Sequence, residues 1–154
     1  MAVAAHVSRV AKDYAPHGYS IMEVSSKEAT SESSGTDDSS AFMFYAGDCD
    51  VYIEEISWIG DSTTNGDDTN YLTVSVLSFL SGGTSEVVHG SITTKTTGSG
   101  GTGNIAEDTV YNIPVSLPVV SSSRVVALMI EKSTAHGNTN DKTVFLSVRY
   151  RRKA

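Results

Sequence analysis

The side chains that could carry out acid–base, nucleophilic or metal chemistry are few and scattered along this chain. The four histidines are His6, His17, His89 and His136. None of them forms the short, recurring spacing that a zinc site needs, so we expect each to be structural or exposed. The glycine-rich stretch TTGSGGTGN, residues 96–104, lacks the Lys-Ser/Thr pair of a phosphate-binding loop. It therefore predicts a flexible loop.

Carboxylates in two polar loops could instead bind a cation. Residues 61–66 have the spacing of the first half of an EF-hand calcium loop, but Leu72 stands where the bidentate glutamate should be. An irregular cation site between strands remains possible at one of two sets of carboxylates: Asp61 with Asp67 and Asp68, or Asp48 with Asp50. The simpler interpretation is that these loops are solvated turns, and we expect no metal site.

Two pairs of adjacent carboxylates, Glu54-Glu55 and Glu107-Asp108, have the residue types of a glycosidase. Neighbouring residues of a strand point to opposite faces, so neither pair can converge on one bond unaided. Trp58 could form a sugar-stacking platform, but a lone tryptophan in an alternating strand is more typical of a core. We therefore predict no catalytic residue and no cofactor, in a protein that is not an enzyme.

The elements that hold these residues follow from the composition. The chain has 154 residues, enough for one domain, and 39 of them are Ser or Thr, whereas only 19% are charged. Leu is scarce, while Val and Thr are common, which favours strands over helices. The composition therefore predicts an all-β protein.

Charge and cysteine content exclude several classes of partner. The net charge is −7, and residues 21–70 hold twelve acids against one base. Residues 71–154 hold eight bases against five acids, and four of these bases lie in the last six residues. A globally acidic chain binds nucleic acid poorly, so we expect no nucleic-acid partner. Cys49 is the only cysteine, which excludes an intrachain disulfide.

The chain shows no pattern of a secretion signal or of a membrane span. Its first residues contain no apolar run of about seven, and no stretch approaches about 18 apolar residues. We therefore expect a soluble protein that is made in a cytoplasm and has no membrane partner.

Seven segments have the pattern of strands and are separated by polar turns. They are residues 41–46, 51–59, 71–80, 86–94, 109–116, 124–132 and 143–151. The alternation shifts by one at Glu54-Glu55, which predicts a β-bulge, and Pro114 predicts an edge strand or a bulge. Segment 124–132 is apolar on both faces, which predicts a central, buried strand.

Such spacing predicts an antiparallel β-sandwich, jelly-roll-like, with an extended N-terminal arm. We place the arm and a polar loop at residues 1–40 and the β-sandwich domain at residues 41–154. Residues 25–40 contain no large apolar residue, which is typical of a solvated loop or a disordered segment.

The basic C-terminal end, RYRRK, is the strongest local charge feature. One interpretation is a frayed, solvated tail. The other is an anchor onto an acidic surface, either residues 23–68 of a neighbouring copy or a larger acidic partner. Exposed ion pairs are worth about 0–1 kcal/mol each, so such an anchor needs burial or repetition. The residues concerned are Arg149, Arg151, Arg152 and Lys153.

The order of segments over residues 50–152 resembles a known class of proteins. A strand with charged ends, VYIEEISWI, precedes a Gly/Asp/Asn loop and the Thr/Val strand YLTVSVLSFL. After a Gly/Ser/Thr-rich spacer comes NIPVSLPVVSSSRVVALMIEKSTAHGNTNDKTVFLSVRYRR. In pattern and composition this resembles the small β-sandwich decoration (cement) or head-fibre proteins of tailed bacteriophage capsids.

The resemblance implies a virion structural protein that binds the outer surface of the capsid and stabilises it. Its partner would be the major capsid protein, and it would commonly form a homotrimer at threefold or quasi-threefold positions. An arm that orders on binding can wrap across subunit seams. Its candidate contact residues are Val3, Val7, Val10 and Tyr14, unless residues 1–20 are an unstructured terminus.

Two other classes of function stay open. The first alternative is a receptor- or glycan-binding β-sandwich module of a phage fibre or tail. The second is a small β-fold enzyme, which the sequence supports least.

Overall fold

The computed structural model describes residues 19–31, 39–60, 63–98, 101–133 and 142–153, which form nine strands and the turns between them. In chain order the strands are β1 (Tyr19–Ser31), β2 (Ser39–Tyr45), β3 (Val51–Gly60), β4 (Leu72–Leu80), β5 (Thr84–Thr93), β6 (Val110–Ile113), β7 (Val119–Val120), β8 (Arg124–Lys132) and β9 (Lys142–Lys153). Within these ranges, no helix is long and apolar enough to cross a membrane.

The strands form two antiparallel sheets. Sheet A has the order β1-β9-β3-β6, with β7 also pairing with β3, and sheet B has the order β2-β8-β4-β5. Strands β6 and β7 pair with the same edge of β3, β6 near its end and β7 at its start, so together they act as one interrupted strand. Eight strands connected in this order are a jelly roll, which confirms the predicted fold class.

Strand alternation builds the core between the two sheets, because every second side chain of a strand points to the same face. The apolar side chains that share one face of β4 or of β9 by strand alternation are all buried: Leu72, Val74, Val76, Val144, Leu146, Val148 and Tyr150. The sheets meet where the Phe44 ring stacks on that of Tyr150, with centroids 4.1 Å apart. Trp58 is also in the core, as predicted, and is 2% exposed.

The predicted bulge at Glu54-Glu55 is confirmed. Ile53 pairs with Tyr150 and Glu55 pairs with Arg149, so β3 has one extra residue against β9. The bulge lets Ile53 and Ile56 both enter the core, at 1% exposure each. It also brings the two carboxylates to one face, which corrects the expectation that they point apart: both lie within 4 Å of the Arg149 guanidinium.

Strand β1 corrects a second expectation. Residues 25–31 were predicted to be part of a polar loop, but they pair with β9 as the edge of sheet A. An edge strand is held by its backbone ladder and needs few apolar side chains, so its composition does not reveal it. The extended arm stays a prediction for the residues before Tyr19, where the described part of the sandwich begins. The arm residues Val3, Val7, Val10 and Tyr14 lie outside the described residues.

Strand β6 ends at Ile113, directly before Pro114, and lies at the edge of sheet A. This agrees with the edge position that the proline predicts, because proline cannot donate to a ladder. Strand β8 lies between β2 and β4, which confirms that it is central.

Candidate functional site

The outward-facing surface of sheet A, which we call the A face, carries both apolar and charged side chains. Phe145 pairs with Ile59, and Ile59 pairs with Val110, so three apolar side chains cross the sheet in one row. Phe145 is 45% exposed and Val110 is 59% exposed. A groove of about 460 Å³ runs along this face, lined by Val24, Glu55, Ser57, Ile59, Val110, Phe145, Leu146, Ser147 and Arg149.

The charged row of the A face consists of mutually paired side chains. Arg149 lies 2.7 Å from a Glu55 carboxylate oxygen and 3.7 Å from one of Glu54. The Arg151 Nε–H donates to the other oxygen of Glu54 at 2.5 Å. The Arg149 side chain is 44% exposed, so its pairs contribute at most about 1 kcal/mol each to stability. The row is close to neutral, yet Arg149 remains open to a partner.

The basic C-terminal end is ordered as part of β9, which excludes the frayed tail through Lys153. Arg152 donates to the carbonyl oxygens of Ala46, at 2.6 Å, and Tyr45, at 3.2 Å, and so fastens the turn after β2. The Lys153 backbone N–H donates to the Asp50 carbonyl at 2.8 Å. Of the four contact residues predicted in this basic end, Arg149 and Arg151 lie on the A face. That they contact a capsid or a neighbouring copy stays a prediction.

The outward-facing surface of sheet B, which we call the B face, carries apolar and serine side chains across its centre. Pairing places Phe42, Ala127, Leu77 and Val88 in one row across all four strands. Ala127 and Leu77 are 2% and 3% exposed although they lie outside the core cluster. The two adjoining rows are Tyr45, Val125 and Phe79, and Ser40, Met129, Ser75 and Ser91.

A buried chain of polar groups closes one end of the sandwich, and the sequence patterns did not indicate it. Arg124 Nε–H donates to Ser78 Oγ at 2.8 Å, and Ser78 Oγ lies 2.7 Å from His89 Nε2. His89 Nδ1 lies 2.6 Å from the Leu117 carbonyl oxygen. A carbonyl can only accept, so Nδ1 carries the hydrogen and Nε2 accepts from the Ser78 hydroxyl. Every link of the chain is therefore satisfied by a neutral His89.

A bulge in β5 turns His89 inward. Val76 pairs with Gly90 and Leu77 pairs with Val88, so His89 is the extra residue on β5. Burial lowers the pKa of His89, and the positive charge of Arg124 lowers it further, against the hydrogen bond to Leu117, which raises it. Gly90 lets the chain approach closely, because a Cβ there would lie 2.9 Å from the Pro114 carbonyl oxygen. His89 is thus structural, as predicted, through contacts that only the fold brings together.

The carboxylates of the acidic loops accept hydrogen bonds from backbone N–H groups. Asp67 accepts from the N–H groups of Thr69 and Asn70, at 2.6 and 2.7 Å. Asp68 accepts from the N–H groups of Thr96 and Thr97, both at 2.9 Å, and these bonds, led by that of Thr97, hold the pKa of Asp68 below its usual value. Asp61 lies outside the described residues.

In the described ranges, no group of three or more His, Cys, Asp or Glu side chains could hold a metal ion. Asp50, of the second predicted set, accepts from the Ser122 N–H at 3.0 Å. His6, His17 and His136 lie outside the described residues.

Comparisons with known proteins give likenesses to capsid structures at low identity. No protein-family model matches the chain, and no curated protein matches it. A chain of the cyanophage Pam1 capsid asymmetric unit is 14% identical, with 89% of this chain and 88% of that chain covered and a TM-score of 0.49.

Two further capsid structures are similar at the same level. A chain of the Helicobacter pylori bacteriophage KHP30 capsid is 14% identical, with coverages of 88% and 91% and a TM-score of 0.47. A Turnip Yellow Mosaic Virus chain is 10% identical, with coverages of 87% and 93% and a TM-score of 0.35. All three TM-scores are below 0.5, so the function has to be argued from the surfaces of this chain.

Proposed function

We propose that this chain is a structural protein of a bacteriophage virion that binds the outer surface of the capsid and stabilises it, as decoration proteins do. The A face carries the proposal: a surface of a four-stranded layer on which an apolar groove adjoins the half-exposed Arg149. The resemblance of residues 50–152 to decoration proteins supports the choice of a capsid as partner.

The A face has what a protein-binding surface needs. Exposed apolar patches mark interaction sites, and fully burying a Phe or Val side chain is worth up to about 1.5–3 kcal/mol. Arg149 adds a charge that orients the partner and makes association depend on salt. Association itself costs several kcal/mol, so one such face gives a modest affinity. A capsid offers many equivalent sites, and linked copies gain avidity from them.

A non-enzymatic role is supported by the burial of Ser78 and His89, which have the residue types of a nucleophile–base pair. Ser78 and His89 have the hydrogen-bond distance of an activated serine. They are 0% and 1% exposed, so a substrate cannot reach them. The glycan-binding alternative loses its proposed stacking platform for the same reason, since Trp58 lies in the core.

The proposal is tested by co-sedimentation of the purified chain with capsids of the encoding phage that lack this protein. We expect saturable binding and a higher melting temperature of the capsids. Phe145→Ser on the A face should weaken binding about three- to tenfold, because the 45% of this side chain that is exposed can contribute about half of the roughly 1.5–3 kcal/mol of full burial. Arg149→Ala should weaken binding less and change its dependence on salt, because it removes the cation that pairs with Glu55.

Phe42→Ser is the matched control, because Phe42 is 56% exposed, somewhat more than Phe145, but lies on the B face. It should still saturate the capsids. The proposal fails if the wild-type chain does not co-sediment, or if Phe145→Ser binds as the wild type does. Binding to a glycan array without binding to capsids would identify a receptor-binding module instead.

A further inference from the structure

The edges of the two sheets differ in how far the rest of the chain closes them. A sheet edge carries backbone N–H and C=O groups that can pair with a further strand unless something blocks them. On the edge of β2, the carbonyl oxygens of Met43 and Tyr45 accept from the Ser25 hydroxyl and the Arg152 guanidinium, each at 3.2 Å. A bulge at Met43 also bends this strand. The edge of β2 is therefore unsuited to a further strand.

The edge of β5 and the edge formed by β6 and β7 are blocked in other ways. On β5, the His89 carbonyl oxygen accepts from the Ser116 N–H at 2.8 Å, and Ser85 bends the start of the strand with a φ of 56°. Pro114 and Pro118 stand in the interruption between β6 and β7, and neither can donate a hydrogen bond to a further strand.

Strand β1 is the edge that remains in the described part of the sandwich. From Met22 to Ser31 its ladder with β9 is unbroken, and this stretch contains no proline. At about 3.4 Å per residue, it presents an edge about 34 Å long. Proteins shorten, bend or cover their long edges, so a long straight edge is typical of a strand that accepts a partner.

The register shows which backbone groups of β1 point to this free edge. The Lys153 N–H donates to Asp50, directly before β3, so the odd-numbered residues of β9 direct their N–H and C=O groups toward β3. The β1 residues opposite them therefore direct theirs away from β9. They are Met22, Val24, Ser26, Glu28 and Thr30.

We propose that β1 accepts an extended segment of the capsid protein as an added strand of sheet A, a contact that rests on the proposed function. Main-chain hydrogen bonds give such strand addition its affinity. The added strand would continue the A face, because Val24 of β1 is 63% exposed and lines the groove. The groove and the edge of β1 thus form one continuous surface for the partner.

Charge favours a segment of another protein over a second copy of this chain. Residues 21–40, which include most of β1, hold five acids and one base. A second copy would bring the same acids to this edge, and like charges opposite each other destabilise a strand pair. A segment that carries Lys or Arg complements the edge, so we expect its binding to weaken with salt.

The test replaces one outward position of β1 by proline. Ser26→Pro removes an N–H that points to the free edge and leaves the ladder intact, because this N–H does not donate to β9. The proline ring also holds an added strand away, so co-sedimentation with capsids that lack this protein should weaken at least about tenfold. Ser26→Ala keeps the N–H, and as the matched control it should bind as the wild type does.

Hydrogen exchange gives a second measurement that does not depend on a variant. In the wild-type chain bound to capsids, the amides of residues 22–31 should exchange more slowly than in the free chain, because the outward N–H groups gain acceptors. The emission of the buried Trp58 reports whether Ser26→Pro is folded. If that variant does not fold, the exchange measurement decides.

The outcomes separate this inference from the proposed function. If the wild-type chain binds capsids and a folded Ser26→Pro variant binds equally well, the inference is overturned and capsid binding stands. Capsid binding without slower exchange of residues 22–31 has the same meaning. A wild-type chain that does not co-sediment overturns both. An oligomer of the free wild-type chain that Ser26→Pro dissociates, seen by sedimentation velocity, would make a second copy the occupant and overturn the inference.

Discussion

Replacing Ser78 by alanine tests whether the buried polar chain stabilises the fold. Ser78 is 0% exposed, accepts from Arg124 and donates to His89 Nε2. Without the hydroxyl, Nε2 has no donor in a site that water does not reach, since His89 is 1% exposed. A buried polar group without a partner costs about 1–3 kcal/mol.

The Arg124 guanidinium keeps most of its hydrogen bonds in the same variant. Its Nη2 still donates to the carbonyl oxygens of Ser78, at 3.0 Å, and Ser85. Its side chain is only partly buried, so its Nε–H can turn to water. We therefore expect Ser78→Ala to lower the free energy of unfolding by about 2 kcal/mol, nearly all of it from His89.

Ser75→Ala is the matched control, because Ser75 lies on the same strand and is 4% exposed. Its hydroxyl is 3.0 Å from that of Ser91, which is exposed and can bond to water when Ser75 is replaced. We expect this variant to cost less than about 0.5 kcal/mol.

The assay is urea unfolding at one fixed protein concentration, followed by the emission of Trp58, since association would shift the apparent stability. With a slope near 2 kcal/mol per molar urea, Ser78→Ala should lower the midpoint by about 1 M, with an unchanged slope. Equal midpoints for Ser78→Ala and Ser75→Ala would refute the reasoning, because the buried chain would then contribute nothing.

Three further predictions follow from the same contacts. Burial lowers the pKa of His89 in the fold below the 6.5 of the unfolded chain, so unfolding takes up a proton at acid pH. Stability should fall from pH 7.5 to 5.5 by up to about 1.4 kcal/mol more than in a His89→Gln variant, as measured by urea unfolding at each pH; parallel profiles would contradict this. Gly90→Ala places a Cβ 2.8 Å from Ile56 Cδ1 and 2.9 Å from a backbone oxygen, so it should cost about 1–3 kcal/mol, whereas Ser91→Ala should unfold close to the wild type. Trp58 should emit as a buried indole, resist quenching by acrylamide and stay unchanged when sugars are added; ready quenching of the folded chain would show that it is not in the core.

The sequence by itself determined the strands whose side chains alternate. A period of two fixes which residues can share a face, so the inward positions of β4 and β9 and the core place of Trp58 could be predicted without coordinates. The shift of that period at Glu54-Glu55 also predicted the bulge. These signals are local, because each depends on residues a few positions apart.

Only the tertiary structure decided the features that depend on distant pairing. Residues 25–31 of β1 have no apolar pattern and are recognisable as a strand only by their ladder with β9, about 120 residues further along the chain. Ser78, His89 and Arg124 belong to three strands, and no spacing in the sequence indicates that they meet.

The two outer faces show the same division between local and distant information. The sequence showed that β8 is apolar on both sides, but the order of the sheets decided which side faces the core and which side forms the outer face of sheet B. A residue's face along one strand is a local property, whereas what covers that face depends on how the whole chain packs.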